Sequence, residues 1–284
     1  MNAFIAIAAS VLMHVAWNLM VRSQGKEVRL LWWALAVHCV LLGPWGIYAL
    51  VTQAHWTPAL LGFLLASSLA NAFYFVALDR AYHHAPVALV YPIVRSSPLL
   101  IGLWGVLFFS ETLGINTWLA MAVSVCGLLI LASTGWRNAD GYALPWALAA
   151  ALATSVYSLT DKAATLYLPT MSSVLGFISV GYALSFLAIS LLLYRAHGRW
   201  LPARKPKITV MLSSGLCIGL AYVLVVHAMR TLPAATVVTF TNAGIVLAGL
   251  LSMLVFREHA HWRRRLAGMV VITAGLILLG WSHR

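Results

Sequence analysis

Arg95 lies inside an apolar stretch running from Ala85 to Phe109, with Pro92 three residues before it and Pro98 three residues after. A guanidinium at the centre of a membrane helix costs about 2.5–3.5 kcal/mol on insertion scales, so such a residue faces a cavity and finds a partner. Its planar fork of donors suits a carboxylate or phosphate held in bidentate geometry. The alternative is a structural role, bonding backbone carbonyls or Asp79 or Asp161. The two prolines remove backbone donors and predict a bend or break at this point. Carbonyls freed at membrane depth are tolerated where they line a cavity or are buried in protein. Tyr91 stands one turn before Arg95 on the same helical face, which makes the pair candidates for binding a substrate.

Other polar stripes recur at helical spacing. His14, Trp17 and Asn18 share one face at i, i+3 and i+4. They read as a cavity wall with an aromatic platform and a group that changes charge near neutral pH, or as an interhelical hydrogen-bond cluster. Thr154, Tyr157, Ser158 and Asp161 form a matching stripe later in the chain, where Asp161 adjoins Lys162 and reads as a solvated local pair rather than a proton carrier. Ser67, Asn71 and Tyr74 make a further stripe, and Gly215, Gly219 and Tyr222 combine small residues suited to close packing with a polar ring. Asn71, Tyr74, Tyr157 and Tyr222 join the candidate substrate-binding set. His38 and His227 are single histidines in apolar runs and read as satisfied core groups. Cys39, Cys126 and Cys217 are isolated, which points to small apolar fillers rather than disulfides or metal ligands. The chain has no GxSxG elbow, no HExxH helix and no pair of membrane-centred aspartates, so no catalytic residue, metal or cofactor is assigned.

The elements that carry these residues follow from composition. Hydrophobic residues are 62% of the 284 and charged residues 8%, with a mean hydropathy of +0.92, against about 45–50% and 25% in ordinary soluble domains. Apolar runs follow one another, each near the ~20 residues that a helix needs to cross a ~30 Å hydrocarbon core. Spans are predicted at about 2–22, 30–51, 57–80, 85–109, 113–133, 143–162, 171–194, 207–230, 233–256 and 263–281. The fold class is therefore all-α integral membrane with ten transmembrane helices. Met1-Asn2 carries no basic n-region, and Arg22, Lys26 and Arg29 follow the first run, the pattern of a retained span rather than a cleaved leader. The net charge of +12 is scattered through short gaps and forms no continuous basic face, so no nucleic-acid partner is expected.

A shift of 147 residues places Pro86 on Pro233 and Glu111 on Glu258 without a gap (233 minus 86; 258 minus 111), and Gly102 on Gly249 and Phe109 on Phe256 as well. At a shift of 140, Trp17, Leu19 and Arg22 fall on Tyr157, Leu159 and Lys162. The chain thus reads as two five-helix repeats, residues 1–136 and 137–284. Five is odd, so the second repeat enters the membrane from the opposite side, an inverted plan whose substrate site lies near the midplane. Gaps after odd-numbered spans hold almost all the Lys and Arg, while the even-numbered gaps and the C-terminus hold Lys162, Arg230 and Arg284. The positive-inside rule then makes the odd gaps cytoplasmic and puts both termini outside, in a multi-pass protein of a bacterial inner (cytoplasmic) membrane. The counterpart of Arg95 is Asn242, with Thr239 one turn before it. A cation facing an uncharged polar group would make the site asymmetric. Glu111 and Glu258 are counterparts too, but both fall at span ends, where a helix-end role is expected.

These features resemble the drug/metabolite transporter superfamily, EamA type. The likeness rests on the two five-span halves, the starts His14-Val15-Ala16-Trp17-Asn18 and Val156-Tyr157-Ser158, and a proline-containing fourth span ending in Phe109-Ser110-Glu111 or Phe256-Arg257-Glu258. The usual glycine before the glutamate is Ser110 in one half and Arg257 in the other. The resemblance implies secondary transport or export of small organic solutes, driven by protons or exchange, with alternating access about a midplane site. Arg95 narrows the expected solute to an anionic or zwitterionic metabolite, because no acidic residue of similar depth is apparent beside it. A passive channel or a non-transporting scaffold is the alternative, and an intramembrane enzyme a more distant one. The partners expected are that solute and membrane lipid; the oligomeric state is not readable from the residues.

Overall fold

The computed structural model describes residues 1–24, 28–136, 141–254 and 260–282, without the side chains at 18 and 21–23. Among the described residues there is helix and no strand, as hydrocarbon requires of a chain that must satisfy its backbone within each segment. In chain order the helices are α1 (Ala3–Ser23), α2 (Leu30–Gln53), α3 (Pro58–His84), α4 (Val87–Phe109), α5 (Ile115–Ala132), α6 (Ala143–Ala164), α7 (Met171–His197), α8 (Ile208–Ala228), α9 (Ala234–Leu254) and α10 (Trp262–Trp281). Nine of these, α2 to α10, are long and apolar enough to cross a membrane, and the described apolar part of α1, Ala3–Trp17, is shorter. Outward faces carry large apolar side chains, Phe108 at 72% exposure and Trp45 at 68% among them, a pattern suited to lipid rather than water.

Local chemistry sets the helix ends. Thr170 accepts from the Ser173 amide at 3.1 Å while Ser173 Oγ accepts from the Thr170 amide at 3.2 Å, a reciprocal cap that starts α7. Gly198, at φ 65°, ends the same helix. Pro86 and Pro233 stand at the N-caps of α4 and α9, where a missing N–H costs nothing. Three helices are irregular. α2 contains a π-helical turn, His38–Leu42, ahead of Pro44. α4 consists of Val87–Val94 and Pro98–Phe109, and α9 of Ala234–Thr241 and Ala243–Leu254.

The chain divides into two compact units, each drawing on both sequence halves: Met1–Val76 with Thr160–Arg230, and Ala77–Leu159 with Thr231–Arg284. In the first, α1 packs on α8 and the second part of α2 on α7. Here Gly46 and Gly176 bring two backbones together: a Cβ built on Gly176 would lie 2.0 Å from the Gly46 carbonyl oxygen. The glycines of α8 also serve packing, since a Cβ on Gly219 would fall 2.1 Å from His38 Nδ1 and one on Gly215 2.4 Å from Val37. The core of this unit centres on Leu35, Leu60, Leu168, Phe177 and Val226. In the second unit α5 runs along α10, where a Cβ on Gly127 would lie 2.7 Å from the Gly268 carbonyl oxygen. Leu128, Ile245 and Ile272 form a buried cluster there, with Tyr91 packed against it.

Two stability predictions follow from these contacts. Gly176→Ala must push Gly46 backbone aside and is expected to cost about 3 kcal/mol or more. Gly62→Ala, where a methyl meets open space on α3, should stabilise by up to about 1 kcal/mol through helix propensity. Thermal unfolding of the detergent-purified variants checks the contrast, and equal melting temperatures would contradict the backbone contact. Ser110, exposed and at φ 53°, closes α4 in a left-handed conformation that costs an ordinary residue about 1–2 kcal/mol. Ser110→Gly is therefore expected to raise the melting temperature.

Candidate functional site

Arg95 ends the first segment of α4, and the backbone explains why the helix stops there. Pro98 has no N–H for the Val94 carbonyl, which instead accepts from the Ser97 amide at 3.4 Å, while the Ile93 carbonyl accepts from the Ser96 amide at 3.1 Å and Ser96 Oγ at 2.6 Å. The break that the two prolines predict is thus present, between Val94 and Pro98.

The guanidinium is half-buried and held on neutral hydroxyls. Nε donates to the Tyr91 hydroxyl at 3.1 Å and Nη2 donates to the same oxygen at 2.9 Å; Nη1 donates to Thr241 Oγ1 at 3.2 Å. Arg95 Cζ also lies 5.2 Å from the centroid of the Tyr91 ring. Tyr91 is fixed in turn by the apolar cluster of α5, α9 and α10. Tyr82, near the end of α3, lies within electrostatic range of both Arg95 and Tyr91. A guanidinium oriented on hydroxyl acceptors presents a planar fork that suits an anion. Asp79, one of the acidic partners considered for Arg95, lies 3.7 Å from His83 one turn along its own helix.

Thr241 belongs to the break of α9, so Arg95 reaches the residue next to Asn242. No proline makes this second break. Thr239 Oγ1 donates to the Ala235 carbonyl and Thr241 Oγ1 to the Val238 carbonyl, both at 2.6 Å, and Asn242 ends the segment with its amide nitrogen turned to the Thr239 carbonyl at 3.0 Å. Asn242 and Thr239 are fully buried. Asn242 Nδ2 lies 3.5 Å from Ser124 Oγ on α5, and its Oδ1 has no hydrogen-bond partner. Thr239 and Asn242 therefore shape the break, while Thr241, absent from the sequence-derived set, is the residue that touches Arg95.

The remaining candidates fall elsewhere. Tyr157 is half-buried on α6 and belongs to the second unit. In the first unit, His14 and Trp17 are half-buried on α1, with Trp17 packed on the apolar core; the Asn18 side chain lies outside the described residues. Asn71 is buried and accepts from Ser185 Oγ at 2.9 Å. Tyr74 packs edge-on against Phe75. Tyr222 donates to Asp161 Oδ2 at 2.5 Å, and Ser67 donates to Asp161 Oδ1. Asp161 is 1% exposed, which corrects its reading as a solvated pair with Lys162: the carboxyl points inward to α3 and α8. His38 is fully buried with Nε2 2.9 Å from Ser179 Oγ, although its Nδ1 has no partner. Glu111 follows the end of α4, where its amide donates to the Gly105 carbonyl at 3.0 Å; Glu258 lies outside the described residues.

The chain matches the EamA-like transporter family over residues 1–133 and again over 141–281. It belongs to that family. One solved crystal structure superposes on this EamA chain with a TM-score of 0.71 and 20% identity, covering 98% of this chain and 96% of the other. At that identity the likeness speaks for the fold alone. No curated protein sequence matches it. An EamA chain is a multi-pass membrane protein of the drug/metabolite transporter type, which accounts for the apolar helices. Arg95 and Tyr91 stand one helical turn apart in the sequence, whereas Thr241 appears there only as one member of a threonine-rich run.

Tyr91→Phe removes the acceptor of two guanidinium bonds and Thr241→Val the acceptor of one. Hydrogen bonds to a charged group contribute about 1.5–3 kcal/mol. Melting temperatures of Tyr91→Phe, Arg95→Gln and the double variant should therefore show a coupling of about 1 kcal/mol or more. Additive effects would mean that the two side chains do not hold each other.

Proposed function

We propose that this EamA-family chain is a secondary transporter or exporter of small anionic or zwitterionic organic solutes. It would have ten spans in two inverted repeats, residues 1–136 and 137–284, and alternate access about a midplane site to which both repeats contribute. The observation that carries the solute class is the Arg95 guanidinium, half-buried at the break of α4 and held on the hydroxyls of Tyr91 and Thr241. A membrane-depth cation is expensive unless it is used, and its fork matches carboxylate, phosphonate and phosphate groups. Paired breaks in repeat-related helices are also where inverted-repeat transporters place their binding groups. The positive-inside pattern supports both termini outside in a bacterial inner membrane, and the family supports coupling to protons or exchange.

A thermal-shift screen of small carboxylates, phosphonates, phosphates and their amino-substituted relatives on purified protein tests the solute class. Arg95→Gln is expected to weaken binding of any stabilising ligand at least tenfold, and Arg95→Lys to recover part of it. Unchanged affinity of Arg95→Gln for every such ligand would place binding elsewhere. In proteoliposomes, saturable exchange or concentrative uptake is expected; passive, non-saturating flux would mean a channel.

A further inference from the structure

Asp161 has no part in the anion site just described, yet it is a 1%-exposed acidic side chain within a helix apolar enough to cross the membrane. Its two oxygens are engaged separately, Oδ1 by Ser67 Oγ of α3 and Oδ2 by the Tyr222 hydroxyl of α8 at 2.5 Å. We propose that Asp161, Ser67 and Tyr222 form a proton-binding site and that protons are the coupling ion of this transporter. The inference rests on the transporter reading but not on Arg95 being the solute anchor.

Three observations point to a proton rather than another cation or a solute amine. Both carboxyl oxygens already face hydroxyl hydrogens, which would repel a metal ion or an ammonium group approaching the same lone pairs. A proton needs no solvent-filled pocket, and Asp161 is only 1% exposed. The two partners are also hydroxyls, which can donate or accept. With the carboxylate ionised, both donate. On protonation, water on one side gives up a proton, an O–H bond forms at one carboxyl oxygen, and the hydroxyl facing it rotates to accept; release reverses these steps and returns the proton to water. If Ser67 is the hydroxyl that accepts, its own hydrogen can turn to a carbonyl three or four residues earlier in α3, as serine hydroxyls in helices do. The two bonds come from different helices, so a movement of α3 or α8 that breaks one of them changes how the carboxyl is held.

Of the residues touching the carboxyl, Tyr222 is titratable and Ser67 is not. Lys162 follows Asp161 on its own helix, and α3 also carries Tyr74. On the other helices of the unit, His14 lies on α1, while His38 of α2 and Tyr182 of α7 pack edge-to-face with ring centroids 4.9 Å apart. Arg230, beyond α8, is committed to the carbonyls of Leu168 and Pro169.

Infrared difference spectra of the purified protein in lipid nanodiscs, recorded without solute from mildly acidic to mildly alkaline pH, read the site directly. A protonated-carboxyl C=O band that grows as pH falls is expected in wild type. It should be lost in the isosteric Asp161→Asn, kept at a shifted frequency in Asp161→Glu, displaced in midpoint by Tyr222→Phe and retained in Arg95→Gln. A band that survives in Asp161→Asn, or a wild type with no titrating carboxyl band, overturns the proposal. In proteoliposomes loaded with a pH-sensitive dye, external phosphonoacetate or β-alanine should change internal pH with wild type, and Asp161→Asn should keep exchange of the same probe but lose the pH change. Probe movement by wild type without any pH change would overturn proton coupling and leave the Arg95 reading standing, which Arg95→Gln binding decides separately.

Discussion

A helix interrupted in hydrocarbon frees backbone groups that water cannot reach, and each must find a partner within the protein. Both breaks of the second compact unit are arranged around that requirement. At the α4 break, the Ser97 amide turns to the Val94 carbonyl that Pro98 leaves without a helical donor, and the Ser96 amide and hydroxyl serve the Ile93 carbonyl that Ser97 has left. At the α9 break, Thr239 and Thr241 turn their hydroxyls back onto carbonyls three or four residues earlier, and Asn242 offers its amide to the next segment's neighbour on α5. Once backbone satisfaction is met locally, the side chain at each break can be directed away from its own helix. Arg95 reaches across to Thr241 of α9.

Much of this was legible in the sequence because it is written as composition and spacing. Helices α2 to α10 begin and end within a few residues of the apolar runs, and the α4 break sits between the prolines that predict it. The α9 break was not legible, because it is made by threonine hydroxyls and an asparagine rather than by a missing donor, and such residues also occur in unbroken membrane helices. The burial of Asp161 was misread for a different reason. Its neighbour Lys162 and its place near a span end describe only α6, whereas α3 and α8 decide whether the carboxyl meets water. Contacts between spans far apart in sequence leave no periodic mark. The π turn at His38 was hidden likewise, since the ring that fits against Gly219 belongs to a helix almost two hundred residues earlier in the chain.

Glycine and hydroxyl residues divide the labour of holding the units together. Without a hydrophobic effect between helices in lipid, association depends on close packing and interhelical hydrogen bonds. Gly46 on Gly176 and Gly127 on Gly268 supply the first, letting backbones touch. Trp32 to Ser190 and Ser185 to Asn71, both buried, supply the second within the first unit. In each of these cases the partners come from opposite halves of the chain.

That origin has a price in the order of synthesis. The Gly46 surface emerges from the ribosome long before Gly176 exists, and the unit to which both belong is complete only when Arg230 has been made. Roughly 150 residues separate Val76 from Arg230, an interval on the order of ten seconds at usual elongation rates. During it the first helices must wait in the bilayer or beside the translocon with their glycine faces unpaired. Membrane insertion of this chain is therefore not a matter of helices docking in turn as they appear, and factors that shelter early spans until the second half arrives should govern how much of it is assembled in a cell.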